Sequence, residues 1–268
     1  MLENFNRRSF LGLSVTAAIT RSVTHQWLTP TRKSTTAVTA SDQFPKHDTA
    51  LVLEMVSVSH GNPTRVRELI AKQPALAKTS WDWGFGDWET PIDAASHVGN
   101  REIAEVLLKS GARPTIFSAA MMGQLSVVKA FVEATPGVQR ILGPHSITLL
   151  AHAKAGGAPA QTVRDYLESL GDADPVPAFV PLTEAERAGY LGSYTFGPGD
   201  QQLVIGVTGE NMFVERVGVA KRTIRYVGNH EFRPSGGEFV RLRFVVANGK
   251  ASSVSVFAPE LLAEATRV

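Results

Sequence analysis

The chain has 268 residues, of which 43% are hydrophobic and 19% charged, proportions that suit a folded globular protein and exclude wholesale disorder. It contains no cysteine, so disulfide bonds and thiolate metal sites are excluded. The formal net charge is +2, but residues 1–40 hold five basic side chains and one acidic side chain, which leaves −2 for the remainder. Because a mildly acidic surface disfavours contact with phosphates, we expect no nucleic-acid partner.

The first 40 residues have the features of an export leader. The pair Arg7-Arg8 is followed by Phe10-Leu11 and a short, weakly apolar run. These residues resemble the twin-arginine export signal, which implies transfer of a folded protein to the periplasm or the exterior. Small residues at 37–40 place the expected cleavage after Ala40, and a basic disordered N-terminus is the alternative. No other segment is apolar enough to anchor the mature chain in a membrane.

Two short helices are predicted within residues 87–114. Pro91 begins the first helix, since a proline in the first turn loses no hydrogen bond, and Gly99 ends it. A second helix follows, with apolar residues such as Ile103 and Leu107 at helical spacing. Two helices of this length cannot bury their outer faces alone, so neighbouring units are expected.

Neighbouring units are found by aligning glycines. Gly61, Gly123 and Gly156 each separate two segments of helical periodicity, as Gly99 does. The intervals are irregular, and the pattern predicts four units between residues 46 and 172.

The strongest unit resembles the ankyrin repeat. The residues that carry the resemblance are Thr90-Pro91-Ile92, Ala94-Ala95, Gly99-Asn100, Ile103, Val106-Leu107-Leu108 and Gly111-Ala112. It departs at Asp93, where the family usually has a histidine that hydrogen-bonds between repeats. The resemblance implies an α-solenoid over residues 46–172 that binds another protein; an unrelated helical bundle is the alternative.

Three tryptophans cluster where the resemblance implies a protruding loop. Aromatic rings beside carboxylates have the composition of interaction hot spots. We expect this loop and the first-helix face to recognise a protein partner, through Trp81, Asp82, Trp83, Phe85, Asp87, Trp88, Glu89 and His97. Two alternatives remain open: the rings fold back onto the first unit, or they stack on a carbohydrate.

Histidines raise the question of a metal site. His60 and His97 occupy equivalent places at the ends of first helices, either as ligands or pH-sensitive contacts, or as solvated residues that favour the helix dipole. His152 takes a place where the family prefers a small residue, so we expect it to pack between helices. Because no carboxylate or third histidine stands at a spacing typical of metal ligands, neither a metal site nor a cofactor is expected.

Catalytic signatures are weak. The sequence lacks the serine-hydrolase elbow, the zinc-protease helix and the phosphate-binding loop. Residues 126–129 match the S-x-x-K pattern but begin a repeat helix, where chance explains the match. We therefore expect no catalytic residue and no enzymatic activity.

The C-terminal third changes from helical to strand periodicity. Residues 173–182 are rich in proline and predict a linker. Beyond them, Leu242 and Phe244 face one side of a strand, and Asn248-Gly249 is a favoured hairpin turn. Residues 183–268 are expected to form six to eight strands of a small antiparallel barrel or sandwich.

The opening of this domain, Tyr190-x-Gly192-x-Tyr194, resembles the lipocalin-like domain appended to exported β-lactamase-like serine hydrolases. That resemblance implies no particular activity. A closed barrel can hold an apolar ligand, although a core filled by side chains is the expectation at this size.

The sequence thus predicts a multidomain protein of the α plus β class, with an ankyrin-repeat α-solenoid followed by a small antiparallel β-domain. The predicted function is that of an exported, non-enzymatic binding protein with an unidentified protein partner. The alternative is a binder of a small ligand or of cell-wall carbohydrate, through the tryptophan loop or the β-domain.

Overall fold

A computed structural model describes residues 42–175, 179–197, 201–219 and 221–268. The expected export signal and its cleavage site lie outside these residues. Residues Ser41–Val268 form one compact unit, in which the helical part and the strands contact each other.

The helical part consists of consecutive helix pairs. Within residues 42–175 the structure contains four such pairs, as the glycine alignment predicts. They are α1 (Thr49–Val58) with α2 (Pro63–Lys72), α3 (Pro91–His97) with α4 (Arg101–Lys109), α5 (Ile116–Met121) with α6 (Leu125–Ala134), and α7 (Leu149–Ala155) with α8 (Gln161–Leu170). We call residues 49–170 the helical stack.

Polar side chains fix where these helices begin. Asn62 and Asn100 accept hydrogen bonds from the third residue of α2 and α4, and Thr90 does the same for α3. Thr115 caps α5 and also donates its hydroxyl to Oδ1 of Asp93 at 2.8 Å. Asp93 therefore supplies a hydrogen bond between successive helix pairs, although the expected histidine is missing.

The stack curls instead of extending in a line. Helix α3 contacts α1 and α5 and also α7, whereas the units of a linear solenoid contact only their neighbours. Close approach is possible because Gly99, with φ of 75°, lies against the backbone of Ala155, where a Cβ would collide with the carbonyl. The predicted α-solenoid is corrected to this extent, and the curl brings the ends of α1 and α3 near the turn before α7.

The tryptophan loop forms a short hairpin between α2 and α3. Strand β1 (Trp81–Asp82) pairs with β2 (Trp88–Glu89) in an antiparallel register, with Trp81 opposite Glu89. Gly84, Phe85 and Gly86 all have positive φ in the connecting turn.

The C-terminal part is a closed antiparallel barrel, preceded by the short helix α9 (Glu184–Ala188). Within the described residues beyond 190 its eight strands follow the order β10-β3-β4-β5-β6-β7-β8-β9, which closes the sheet. The strands are β3 (Gly192–Phe196), β4 (Gln201–Thr208), β5 (Asn211–Arg216), β6 (Arg222–Gly228), β7 (Glu231–Pro234), β8 (Arg241–Ala247), β9 (Lys250–Phe257) and β10 (Leu261–Arg267).

Aromatic rings occupy the interior of the barrel. Tyr194 and Phe232 are completely buried, and the Phe232 ring lies edge-on to Tyr190 and Phe244, with centroids 4.9 and 5.3 Å away. The expected filled core is therefore observed. Asn248-Gly249, both with positive φ, make the predicted turn between β8 and β9.

The predicted linker is fastened at both ends. Asp174 accepts a hydrogen bond of 2.6 Å from Thr148 of the stack, and the amide of Val180 donates to the Tyr226 carbonyl of the barrel at 2.9 Å. Residues 176–178 lie outside the described part. None of the helices in the described part has both the length and the apolar character needed to cross a bilayer.

Candidate functional site

A buried carboxylate lies where the stack meets the barrel. Successive strand residues point to opposite faces, so β2 turns Trp88 outward, 59% exposed, and Glu89 inward, completely buried. Burying a carboxylate is costly unless hydrogen bonds and opposite charge compensate, so its neighbours decide what it does.

Three histidines converge on this carboxylate. The Nε2 atoms of His97, His145 and His60 lie 2.9, 3.4 and 3.5 Å from the same oxygen, Oε1 of Glu89. His97 is the last residue of α3, His60 follows α1, and His145 lies in the turn before α7. The four ligand atoms all lie within 4.8 Å of one another. We call these four residues the His/Glu centre.

A second layer of contacts orients the centre. Nδ1 of His60 faces the carbonyls of Ser57 and Val56 at 3.1 and 3.2 Å. Nδ1 of His145 lies 2.7 Å from Oδ2 of Asp87. The indole N–H of Trp83 donates to Oε2 of Glu89 at 2.8 Å. Each of these contacts fixes a ring or a carboxylate so that its other polar atom points into the centre.

The charges in the centre support one another. Burial raises the pKa of Glu89, but hydrogen bonds with His145, His60 and His97 outweigh it and hold the pKa far below the usual range. Burial lowers the pKa of His145, yet Asp87 and Glu89 reverse this and raise it to about 9. The hydrogen bond with Glu89 is the largest cause that raises the pKa of His60. The contacts of the centre therefore favour the ionised form of Glu89 and the protonated forms of His145 and His60.

Two other buried polar residues nearby behave differently. Burial raises the pKa of Asp93, against hydroxyl hydrogen bonds from Thr90 and Thr115. Burial also lowers the pKa of His152 to about 4. His152 is completely buried beside Phe117, as its predicted packing between helices requires, and its Nδ1 lies 2.8 Å from the Thr148 carbonyl. Burial thus works against the charged form of both side chains, whereas the contacts of the His/Glu centre favour the charged form of Glu89.

Asp87 joins the stack to the barrel. Its carboxylate accepts hydrogen bonds from the amide of His145 and from the guanidinium of Arg222 on β6, both at 2.8 Å. Arg222 also donates to the carbonyl of Trp83 at 3.0 Å. Gly236 packs directly against the Asp87 carboxylate, where a Cβ would collide with it.

A cleft of about 530 Å³ lies beside this junction. It is lined from the stack by Arg140, Leu142 and His145, and from the barrel by Arg225 and Arg233, among others. The guanidinium of Arg225 lies over the ring of Phe179, 5.1 Å from its centroid. The cleft therefore combines cationic heads with apolar walls.

The structure places the predicted recognition residues on both sides of the hairpin. Trp88 and Asp82 are exposed, and Trp81 and Trp83 are half-buried with their rings edge to face. Phe85 packs against the barrel core, and Asp87 and Glu89 are buried. The expectation that these last three belong to an open surface is corrected. Phe85 and Asp87 face the barrel, whereas Glu89 faces the histidines of the stack. His97 is mostly buried and joins Glu89.

Sequence reasoning paired His60 with His97 but connected neither to Glu89, and it missed His145 as a third histidine of the centre. The ligand atoms come from segments far apart in the sequence, so no local spacing connects them. One signal was present: His60 and His97 stand at equivalent positions of successive units, which implies that stacking brings them together. His145 carried no such signal, because its position depends on an unusual backbone with φ of 60°.

Comparison with known proteins agrees with part of this fold. Residues 87–118 match the family model of the ankyrin repeat, which spans β2, α3, α4 and the start of α5. A search of curated protein sequences found no match. The chain therefore contains an ankyrin repeat, a unit that indicates protein–protein interaction, joined to an eight-stranded antiparallel barrel.

Proposed function

We propose that the protein is an exported, non-enzymatic binding protein that takes an acidic segment of a protein partner into the cleft between the helical stack and the barrel. The ankyrin repeat at residues 87–118 supports the class of partner, since this unit indicates protein–protein interaction. The cleft supports the place and the chemistry.

The observation that carries the proposal is the set of arginines in the cleft. Among the described residues that line it, Arg140, Arg225 and Arg233 stand against a single carboxylate, Glu238. Arg140 is paired at 3.4 Å with Asp172, and Glu238 accepts a hydrogen bond from Ser146. Arginine forks match carboxylates with two parallel hydrogen bonds, so the cleft is complementary to glutamate or aspartate side chains.

The size of the cleft suits a short segment. A cavity of about 530 Å³ lies within the range of specific ligand sites. Leu142, Pro175 and Pro234 supply apolar contact beside the charged heads. The Phe179 ring under Arg225 holds that guanidinium in place, which lowers the entropy lost on binding.

The hairpin has a different task in this proposal. Its aromatic and acidic residues were expected to grip a partner, but Phe85, Asp87 and the Trp83 carbonyl contact the barrel. The surface that the resemblance implied for recognition is thus partly used to hold the chain's own second domain. We therefore place the partner site in the cleft at the edge of the contact between the hairpin and the barrel.

The carbohydrate and lipid alternatives have less support. Sugar binding needs several exposed aromatic faces, and of the three tryptophans in the hairpin only Trp88 is exposed. Trp81 and Trp83 are half-buried, and the indole N–H of Trp83 is bonded to Glu89. A lipid needs room in the barrel, whose interior holds Tyr194, Phe232 and Phe244.

The test uses a short fluorescein-labelled polyglutamate peptide as the probe and fluorescence anisotropy as the measurement. The wild-type protein is expected to bind it, with affinity falling as salt screens the charges. The double variant Arg225→Glu with Arg233→Glu should bind at least about tenfold more weakly, which corresponds to about 1.4 kcal/mol.

The matched control is Arg113→Glu, which reverses an exposed arginine outside the cleft. If this control weakens binding as much as the double variant, the effect is non-specific and the proposal fails. Citrate serves as a small-anion competitor. If it displaces the peptide from the wild-type protein but not from the double variant, the cleft is a site for small anions and not for a protein segment. Absence of any peptide binding would overturn the proposal.

Export is the second part of the proposal, supported by Arg7-Arg8 and the weakly apolar run that follows. Fusion of residues 1–40 to a reporter that folds in the cytoplasm should send it across the membrane. Changing both arginines to lysine should retain the reporter inside, and unchanged export in that variant would contradict the twin-arginine route.

A further inference from the structure

We propose that His60, His97, His145 and Glu89 bind one divalent first-row transition metal ion, with Zn²⁺ as the best fit. This inference goes beyond the proposed function, because the cleft can bind an acidic segment whether or not the centre holds a metal. The argument rests on the positions of the donor atoms, on their hydrogen-bond partners and on the charge balance.

The donor atoms have the spacing of a tetrahedral site. With Zn–N and Zn–O bonds of about 2.0–2.1 Å, the ligand atoms of a tetrahedron are roughly 3.3 Å apart. Oε1 of Glu89 lies 2.9, 3.4 and 3.5 Å from Nε2 of His97, His145 and His60. The four ligand atoms all lie within 4.8 Å of one another, so a small shift of the rings closes them around one ion.

The hydrogen bonds leave lone pairs that face an anion. A carbonyl oxygen only accepts, so His60 carries its proton on Nδ1, which faces the carbonyls of Ser57 and Val56. The Asp87 carboxylate likewise fixes the proton of His145 on Nδ1. In the neutral rings, Nε2 of both residues then directs a lone pair at a carboxylate oxygen, which is repulsive. A positive charge must lie between them, either as added protons or as a metal ion.

One divalent ion satisfies these atoms with less repulsion than protons do. Protonation of His60, His97 and His145 would place like charges on rings whose Nε2 atoms lie within 4.8 Å of one another. A metal ion needs neutral imidazoles and the ionised Glu89, so the four side chains with the ion carry a single net positive charge. Three nitrogen donors favour Zn²⁺ and related metals over Ca²⁺ and Mg²⁺, which prefer oxygen.

The surroundings also match those of a metal site. Histidine ligands commonly donate their other N–H to a carbonyl or a carboxylate, which fixes the tautomer and the ring orientation. Here carbonyls hold His60, Asp87 holds His145, and the Trp83 indole holds Glu89 through Oε2. The His60 and His145 side chains are 30% and 25% exposed, which leaves a route for an ion from solvent.

The experiment uses the full chain without a histidine tag, stripped of metal by a chelator and then titrated. Competition between the protein and a chromophoric zinc indicator measures affinity and stoichiometry. We expect one Zn²⁺ per chain with a sub-micromolar dissociation constant. Co²⁺ in its place should give the intense visible absorption of a tetrahedral site.

Ligand variants locate the ion. His60→Ala and His145→Ala each remove one proposed ligand, and the two residues lie on different segments. Each variant should weaken Zn²⁺ binding at least about a hundredfold. Substitution of a residue that only hydrogen-bonds to a ligand typically costs about 10- to 100-fold. Glu89→Gln should abolish the Co²⁺ spectrum. Trp83→Phe removes the hydrogen bond behind Glu89, together with part of a ring that lies beside His145, and should weaken binding about tenfold.

The matched control is His47→Ala. His47 lies outside the centre, with its Nδ1 3.0 Å from Oε1 of Gln73. It should bind Zn²⁺ as the wild type does. Circular dichroism identifies any ligand variant that fails to fold. The Zn²⁺ affinity of the ligand variants that do fold then tests the proposal. The proposal is overturned if the wild type binds no metal at one equivalent, or if folded ligand variants bind as tightly as His47→Ala. Loss of metal binding leaves the polyglutamate test of the cleft unaffected, so the two proposals fail separately.

Discussion

The helical stack and the barrel fill their interiors with different chemistry. Among the described residues, those of the helical part supply eight of the nine buried polar or charged residues: Ser59, Asp87, Glu89, Asp93, Ser96, Ser118, Thr148 and His152. The barrel supplies only Arg222, which reaches out to Asp87. Its own core is made of Tyr, Phe, Met and aliphatic side chains.

This difference shows how the work is divided between the two regions. Small residues let helices approach closely, and the ends of the helices then bring polar side chains together in a confined space. The barrel is a closed hydrogen-bonded sheet around an apolar core, so it forms a rigid surface beside the stack. Its contribution to the charged contacts of the junction is the guanidinium of Arg222. The candidate chemistry therefore belongs to the stack, and the barrel completes its boundary.

The largest expected loss of stability comes from a change in the aromatic core of the barrel. Phe232→Ala deletes a completely buried ring that contacts Tyr190, Tyr226 and Phe244, and it should lower the free energy of unfolding by about 4 kcal/mol. Denaturant titration followed by circular dichroism measures this. Phe239→Ala, at a residue 80% exposed, should change it by less than about 0.5 kcal/mol. Similar values for the two variants would contradict a tightly packed barrel interior.

The next effect breaks the junction itself. Asp87→Ala leaves the guanidinium of Arg222 buried without its carboxylate, so we expect a loss of about 3 kcal/mol in unfolding free energy. Glu102→Ala removes an exposed ion pair with Arg67 and should cost less than about 1 kcal/mol, because solvent screens that pair. Equal losses in the same denaturant titration would show that Asp87 does not hold the two regions together.

The smallest effect tests how closely the two regions approach. Gly236 has φ of 76° and lies against Asp87, so Gly236→Ala adds a collision to backbone strain and should cost about 2–3 kcal/mol. Gly171 has φ of 78° with open space around it, so Gly171→Ala should cost only about 1 kcal/mol. Thermal unfolding of both variants, together with their unfolding enthalpies, gives the difference between their free energies of unfolding. The close contact is refuted if Gly171→Ala is the more damaging of the two.

Features set by neighbours along the chain were predicted correctly. The alternation of Leu242 and Phe244 places both in the core, and Asn248-Gly249 forms the expected turn. The four helix pairs follow the glycine alignment, and residues 87–118 match the ankyrin repeat. Their periodicities and caps are local, so a single sequence carries them.

The candidate site was only half predicted. Glu89 and His97 were named, but as part of an open surface. His60 was paired with His97 but not with Glu89, and His145 was assigned no partner. The curl of the stack brings the ends of α1 and α3 together with the turn before α7, and this curl depends on packing between residues distant in sequence. Local spacing rules cannot detect a ligand set of this kind.

The sequence by itself determined the composition of the two regions, their order, the helix pairs of the first and the strand periodicity of the second, because backbone propensity and hydrophobic period act over a few residues. Only the tertiary structure decided which face of the hairpin is covered and which side chains meet at Glu89. The physical reason is that burial by the barrel and the close approach of α3 to α7 reverse the exposure of individual residues without changing any local pattern.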